Sequence, residues 1–376
     1  MTLNMKPIKK VSDSQITVLH VIARLNVGGT ARYITRLVEE LPKHRVKAFV
    51  ATGYVQGFEP EDPSAKKLNV IRIPSLGRQI NPIKDYLAHK QLLEVIRDVK
   101  PDILHTHTFK AGFLGRTKTK EINEAAGKQV KFVHAFHGHL FDDPEFSGFK
   151  SLMIAALERR FAKRTDAIVT IGAQVGKELL EHKIGQPKQY TNIPPGVKPL
   201  TIPKVEPRKK ITVGWVGRMV PVKNPFLALE LAKRFPDAQF LLAGGGDLLE
   251  QVKNHAPRNT KVLGWTDIPK LLAASDVILS TSENEGMPIA LIEAQLASKP
   301  VVTTNVGAVA KVVINNKTGF VTGKNTEELA KALQKLIDSK ALRASQGKAA
   351  KVHATKAFSV EKMVQAHVSL YKKLTK

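Results

Sequence analysis

The sequence predicts an α/β protein built from two doubly wound parallel sheets in tandem. Three observations carry this. Short apolar, β-branched runs alternate with segments of helical periodicity, the pattern of parallel strands covered on both faces. The alternation occurs twice, before and after a Pro- and Lys-rich stretch at Pro194–Lys210. At 376 residues the chain is also longer than one ordinary core organises, and two domains are the natural expectation.

The first series opens with an apolar strand at Ile16–Ala23. Asn26-Val-Gly-Gly-Thr30 is a tight turn, and Ala31–Leu41 reads as a helix with Ile34, Leu37, Val38 and Leu41 inward. This strand, glycine turn and helix resemble the start of a nucleotide-binding fold, without the full G-x-G-x-x-G of a dinucleotide site. Strands are expected at Val46–Ala51, Asn69–Ile73, Asp102–His105, Val130–Ala135 and Ala167–Ile171. Helices are expected at Ile83–Val99, Lys110–Ala125, Gly148–Arg164 and Gln174–His182. Pro203, Pro207 and the interspersed cations of Lys198–Lys210 then read as a linker.

The second series begins at Ile211–Val216 and continues with strands at Gln239–Ala243, Lys261–Leu263, Asp276–Leu279, Val301–Thr304 and Gly319–Val321. Its helices are expected at Pro225–Phe235, Asp247–His255, Ile268–Ala274, Pro288–Ala297 and Glu327–Ser339. The predicted domains are 1–197 and 198–358, followed by a last helix in 359–376 with Ser359 as its N-cap. Met363, Val364, His367, Leu370, Tyr371 and Leu374 form its inward stripe.

Composition bounds the function. Hydrophobic content of 43% and charged content of 24% are those of a globular protein. No apolar run approaches the roughly 18 residues of a membrane span. The polar, basic Met1–Lys10 does not read as a signal peptide, so cytoplasmic residence is the expectation. With no cysteine, disulfides and thiolate metal sites are excluded. A formal charge of +26 favours anionic partners: phosphorylated small molecules, nucleic acid or an anionic membrane. Basic residues are spread over every segment and aromatics are 6%, which is not the clustered footprint of a specific nucleic-acid binder. Gly148–Arg164 sets Phe149, Leu152, Met153, Ala156 and Phe161 against Lys150, Arg159, Arg160, Lys163 and Arg164. That is a core-packing helix with a wet face, or a helix lying on a membrane surface.

The most informative stretch is Ser280–Pro300. A strand runs into a polar loop, and Pro288 opens a helix at the first helical position. Helix N–H groups and dipole there favour a phosphate. Glu285 and Glu293 bracket this loop, and carboxylates accept hydrogen bonds from paired hydroxyls. A ligand that is part phosphate and part sugar fits; taken singly, each Glu also reads as a solvated charge. Gly217-Arg218, directly after another strand, leads to Lys223, and two cations in a glycine turn suit a diphosphate. Gly244-Gly-Gly246-Asp247 offers close backbone approach or a turn with Asp247 as N-cap. His105/His107 and His137/His139 have the His-x-His spacing of metal ligands on one strand face. With no further ligand set and no D-x-D, hydrogen bonding to a substrate is the expectation and no metal is assigned.

These residues resemble a known family. Glu285-Gly-Met-Pro-Ile-Ala-Leu-Ile-Glu293 is similar to the E-x7-E motif of retaining GT-B glycosyltransferases of family GT4. Gly28-Gly29, His137-Gly138-His139, Pro195-Gly196-Val197, Gly217-Arg218 with Lys223, and Ala243–Asp247 follow in the family's order, as do Val262-Leu-Gly264 and Asn316–Phe320. The resemblance implies two Rossmann-like domains facing a cleft, the last helix crossing back to the first, and a metal-independent, retaining hexosyltransferase. It implies no cofactor beyond a nucleotide-diphosphate sugar, with UDP favoured, and a glycan or lipid-linked acceptor in polysaccharide biosynthesis. By carry-over, Arg218 and Lys223 hold the diphosphate, with Gly217 in their turn. Gly286, Met287 and Pro288 lie against phosphates or sugar, Glu293 takes the ribose hydroxyls and Glu285 the sugar hydroxyls. His137 lies near the sugar's outer hydroxyl, and Gly28 and Gly29 approach the phosphates. Two positions depart from the family: Pro195-Gly-Val-Lys198 replaces the common Asn-Gly-Val-Asp, and Met287 stands where Phe is common. A nucleotide-sugar 2-epimerase on the same fold, or a basic nucleic-acid-binding protein, are the competing readings.

Overall fold

A computed structural model describes residues 15–55, 60–141, 149–206 and 208–376. The basic Met1–Lys10 segment, Gly148 and Pro207 lie outside the described residues. The chain divides into two compact units: Met1–Gly196 with Val360–Lys376, and Val197–Ser359.

The first unit runs β1 (Ile16–Ile22), α1 (Gly29–Glu40), β2 (Val46–Thr52), β3 (Val70–Arg72), α2 (Pro82–Val99), β4 (Ile103–His107), α3 (Thr108–Thr117), α4 (Thr119–Ala126), β5 (Lys131–Phe136), α5 (Phe149–Ala162), β6 (Ala167–Thr170), α6 (Ala173–Glu181) and β7 (Tyr190–Asn192). Its parallel sheet has the order β3-β2-β1-β4-β5-β6-β7. Chain direction across the sheet therefore reverses between β1 and β4, and the loops after these strands diverge there. In open α/β sheets that crevice is where ligands bind. The strands are buried on both faces, which is why they read as apolar runs and not as alternating ones.

The second unit runs β8 (Thr212–Val216), α7 (Pro225–Arg234), β9 (Gln239–Ala243), α8 (Leu249–His255), β10 (Thr260–Gly264), α9 (Ile268–Ala274), β11 (Val277–Ser280), α10 (Ile289–Leu296), β12 (Val301–Thr304), α11 (Val309–Val312), β13 (Gly319–Thr322), α12 (Thr326–Asp338) and α13 (Lys340–Ala357). Its parallel sheet is ordered β10-β9-β8-β11-β12-β13, with the reversal between β8 and β11. The final helix, α14 (Val360–Leu374), belongs to the first unit and packs on α1. Two parallel sheets with helices on both faces are the expected fold class.

Several elements differ from the sequence reading. The helix expected at Lys110–Ala125 is two, because Lys118 leaves helical geometry at φ −123°, ψ 60°. The short edge strand β7 is half-exposed and carries no apolar run, so periodicity missed it. The 18-residue α13 was missed for another reason. It buries Gln346, Gly347, Ala350 and Ala354, small or polar residues that make no hydrophobic stripe. A Cβ on Gly347 would stand 2.2 Å from the Ser298 carbonyl oxygen, so close backbone approach replaces bulky packing. Ser339 caps it by accepting from the Leu342 N–H. Helix α8 begins after Leu248, so Asp247 is not its N-cap. In α5, Leu152 and Met153 point out, 68% and 52% exposed, and Ala156 is exposed too. The inward face is instead Ile154, Ala155, Glu158, Phe161 and Ala162.

Candidate functional site

In the second unit the candidate residues gather on the loops that leave β8 and β11, side by side at the sheet reversal. Trp215 pairs in register with Leu279, so both loops start at the same height. The β8 loop is held down by backbone bonds. Gly217 N–H donates to Ala243 O at 3.0 Å, and Met219 N–H donates to Gly245 O at 2.8 Å. Gly244 sits at φ +139°, where a Cβ would lie 1.7 Å from the Gly217 carbonyl oxygen. The triple glycine is thus the floor under Arg218, fixed by close approach.

The β11 loop is tied to the β8 loop at four points. Trp215 Nε1 donates to Thr281 Oγ1 at 3.0 Å, and Thr281 Oγ1 donates to Asn224 O at 2.8 Å. Glu283 N–H donates to Val222 O at 2.8 Å, and Asn224 Nδ2 donates to Glu283 Oε1 at 2.9 Å. Within this frame Lys223 Nζ reaches Glu285 Oε1 at 2.5 Å, and Ser282 Oγ donates to the same oxygen at 2.7 Å. Glu285 is 9% exposed, so its charge is matched by a cation and a hydroxyl where water is scarce. Arg218 is half-buried at the end of β8.

Pro288 is the N-cap of α10, not its first residue: at ψ 102° it is still extended. The geometry at the helix start serves the same end, since first-turn N–H groups have no acceptor inside a helix. Gly286 and Met287 lead into that turn, with Met287 buried. Glu293 lies one turn inside α10 and is 1% exposed, so it is no solvated surface charge. The structure therefore brings Gly217, Arg218, Lys223, Glu285, Gly286, Met287, Pro288 and Glu293 to one edge of one sheet. It can present cations, backbone N–H groups and carboxylates to a single ligand.

In the first unit, Gly28 and Gly29 form the start of α1, beside the reversal between β1 and β4. A Cβ on Gly28 would meet nothing nearer than Asn26 O at 3.9 Å, and its φ of 168° is ordinary extended backbone. Folding therefore does not demand glycine at Gly28.

His137 follows β5 directly and packs edge-on against Tyr33, with ring centroids 5.0 Å apart. His107 Nδ1 lies 2.9 Å from His137 Nε2, and His107 Nε2 lies 3.0 Å from His20 Nδ1. His105 Nδ1 is 2.7 Å from the Tyr371 hydroxyl. Burial, then the charge of His367, pushes His137 down to about 3 and His20 down to about 3. These rings are neutral at ordinary pH, each with one donor and one acceptor nitrogen. The three hydrogen-bonded rings, His20, His107 and His137, must then all donate in the same direction. His139 turns away and pairs with Glu178, so His137 and His139 do not share a face.

The sequence reading missed His20, which joins His105 and His107 because β1 and β4 pair His20 with His105. These three offer ring nitrogens within 4.8 Å of one another, a third ligand that spacing along the chain could not reveal. Four of their six ring nitrogens already take part in hydrogen bonds: His20 Nδ1 with His107 Nε2, His107 Nδ1 with His137 Nε2, and His105 Nδ1 with the Tyr371 hydroxyl. Ser282, Thr281 and Trp215 were missed as well. Their only signal is a polar run at the carboxyl end of a strand.

The chain is similar in sequence and in fold to known proteins. Residues 200–353 match the family described as Glycosyl transferases group 1, and residues 27–199 match Glycosyltransferase Family 4. The chain is 30% identical over 359 residues to the Escherichia coli UDP-Gal:alpha-D-GlcNAc-diphosphoundecaprenol alpha-1,3-galactosyltransferase, covering 89% of this chain and 91% of that one. It is 25% identical to the D-inositol 3-phosphate glycosyltransferase of Arthrobacter sp. (strain FB24), covering 88% and 86%. Among solved structures, sucrose-phosphate synthase from Thermosynechococcus elongatus superimposes with TM-score 0.80 at 18% identity, covering 96% of this chain and 99% of that one. Anabaena HepE in complex with UDP and glucose superimposes with TM-score 0.78 at 17% identity, covering 96% and 100%. At these identities the two structures speak for the fold.

Proposed function

The chain belongs to glycosyltransferase family 4, and from that premise we propose that it is a retaining hexosyltransferase using a nucleoside-diphosphate sugar, UDP-linked by preference. The acceptor in this reading is a lipid-linked or polysaccharide-precursor glycan, supported by the Escherichia coli relative, whose acceptor is alpha-D-GlcNAc-diphosphoundecaprenol. The observation that carries the proposal is the convergence of Lys223, Ser282 and Glu285 at the sheet reversal, beside the start of α10.

The chemistry follows from charge. Before the donor arrives, Lys223 and Glu285 neutralise each other. A diphosphate draws Lys223 and Arg218 to its oxygens, and Glu285 then accepts from the sugar hydroxyls. Glu293 takes the ribose hydroxyls, and Gly28 and Gly29 give the phosphates room. When the bond from the sugar's anomeric carbon to the phosphate oxygen breaks, negative charge grows on that oxygen. Fixed cations and the helix N-terminus stabilise it without a metal ion. The acceptor oxygen bonds to the same face of the anomeric carbon, and its proton passes to the departing phosphate. His137, neutral, orients an outer sugar hydroxyl.

A screen of nucleotide sugars for thermal stabilisation and turnover tests this, with product stereochemistry read by NMR and EDTA present in one arm. Retention with an EDTA-resistant rate is expected. Inversion, EDTA inhibition, isomerisation of the donor with no acceptor, or stabilisation by duplex DNA in place of UDP would contradict it.

A further inference from the structure

Among the described residues of the first unit, the large exposed hydrophobic side chains are not scattered. Apart from Tyr54, which lies under the Arg72 guanidinium, they are Ile80, Ile83, Tyr86, Leu87, Leu152 and Met153. All six sit at one rim. Ile80 precedes α2, and Ile83, Tyr86 and Leu87 occupy its first two turns; Leu152 and Met153 occupy the first turns of α5. Both helices begin at the carboxyl edge of the sheet, and both lie on the face shared with α3. Ile83 is 74% exposed and Ile80 72%, so neither is half-buried surface of the ordinary kind.

Among the described residues, the exposed charge around them has one sign. Arg78, Lys84, Lys90 and Lys150 are exposed at the same rim, and Lys90 Nζ lies 4.7 Å from the Tyr86 ring centroid. The acidic group of the first turn of α2, Asp85, is held by the buried Lys110, whose Nζ also donates to Gln79 O at 2.8 Å. That pair fixes the Gln79–Ile83 segment with its aliphatic side chains outward.

We infer that this rim docks on an anionic lipid bilayer. A second copy of the chain is disfavoured as occupant because each copy carries +26. Nucleic acid would use the cations and leave four aliphatic side chains in water. An anionic bilayer accepts both: aliphatic groups enter the headgroup boundary, and Lys and Arg meet the lipid phosphates. No described helix is long and apolar enough to cross a membrane, so the contact is superficial. The purpose of such docking, presenting the sheet edge to a lipid-linked acceptor, rests on the function proposed above. The docking itself does not, and it is read without turnover.

The test is co-sedimentation of the full chain with phosphatidylglycerol/phosphatidylcholine vesicles and with phosphatidylcholine alone, at low and high salt. Ile83→Asp and Leu152→Asp probe the rim, and Val352→Asp, on the exposed face of the other unit, is the control. Melting temperatures establish that each variant folds. The inference predicts binding to anionic vesicles only, weakened by salt, reduced about tenfold or more by each rim variant and unchanged by the control. Equal binding by rim variants and wild type would overturn it. So would indifference to lipid charge, or a wild-type dimer in sedimentation that Ile83→Asp dissolves.

Discussion

Glu285 shows how much a single side chain carries here. Its carboxylate is held by Lys223 and Ser282 in a nearly dry pocket, so it is presented rigidly and its charge is balanced. Glu285→Gln keeps shape and hydrogen-bonding capacity but loses charge, and Arg218→Ala removes one of the two cations proposed to hold the diphosphate. Each is expected to lower turnover by about a hundredfold or more with little change in melting temperature; near-wild-type rates in either would refute the site. Gly28 makes a complementary case. Since the fold leaves a Cβ there unopposed, Gly28→Ala should preserve stability within about 0.5 kcal/mol and raise the KM for the donor. A drop in melting temperature with unchanged KM would assign Gly28 to folding instead.

At the scale of elements, the sheets are legible in the sequence because buried parallel strands announce themselves as apolar runs. The loops that matter are legible because they follow those runs. What escaped is what depends on partners distant in the chain. His20 gains meaning only through the register of β1 with β4, and the Lys223–Glu285 contact only through adjacency of β8 and β11. Helix α13 escaped because close packing at Gly347 leaves no stripe to read. The outward turn of Leu152 and Met153 escaped because a charged residue takes the inward position. Glu158 of α5 is fully buried and accepts from Arg116 Nη2 of α3 at 2.8 Å. Removing one partner strands the other charge in the core, so Glu158→Ala should cost about 3–5 kcal/mol, measured by denaturant unfolding. A double replacement by apolar residues of similar volume should recover much of that loss.

For the whole molecule, the buried histidines tie stability to pH. Burial, with the charge of His367 added, lowers His20 from 6.5 to about 3; burial lowers His367 to about 4. His105, His107 and His134 are likewise held well below their ordinary value, by burial first and by charged neighbours next. The unfolded chain takes up these protons near pH 6.5, whereas the folded chain resists until far lower. The stabilising difference is therefore complete well above pH 6.5 and is lost as pH falls through the window from 6.5 to about 4 for His367 and about 3 for His20. Each such histidine contributes a slope of up to about 1.4 kcal/mol per pH unit. Unfolding titrations should show stability flat from pH 7 to 8 and falling steeply below 6; a flat profile down to pH 4.5 would contradict the buried, neutral network.

In the function proposed here, the diphosphate of an activated sugar is captured at the reversal of the second sheet. Diffraction from crystals soaked in a UDP-hexose tests it most directly. Density for the diphosphate is expected against Arg218, Lys223 and the start of α10, with sugar hydroxyls on Glu285 and ribose on Glu293. Density for the nucleotide sugar away from residues 217–223 and 285–293 would contradict it.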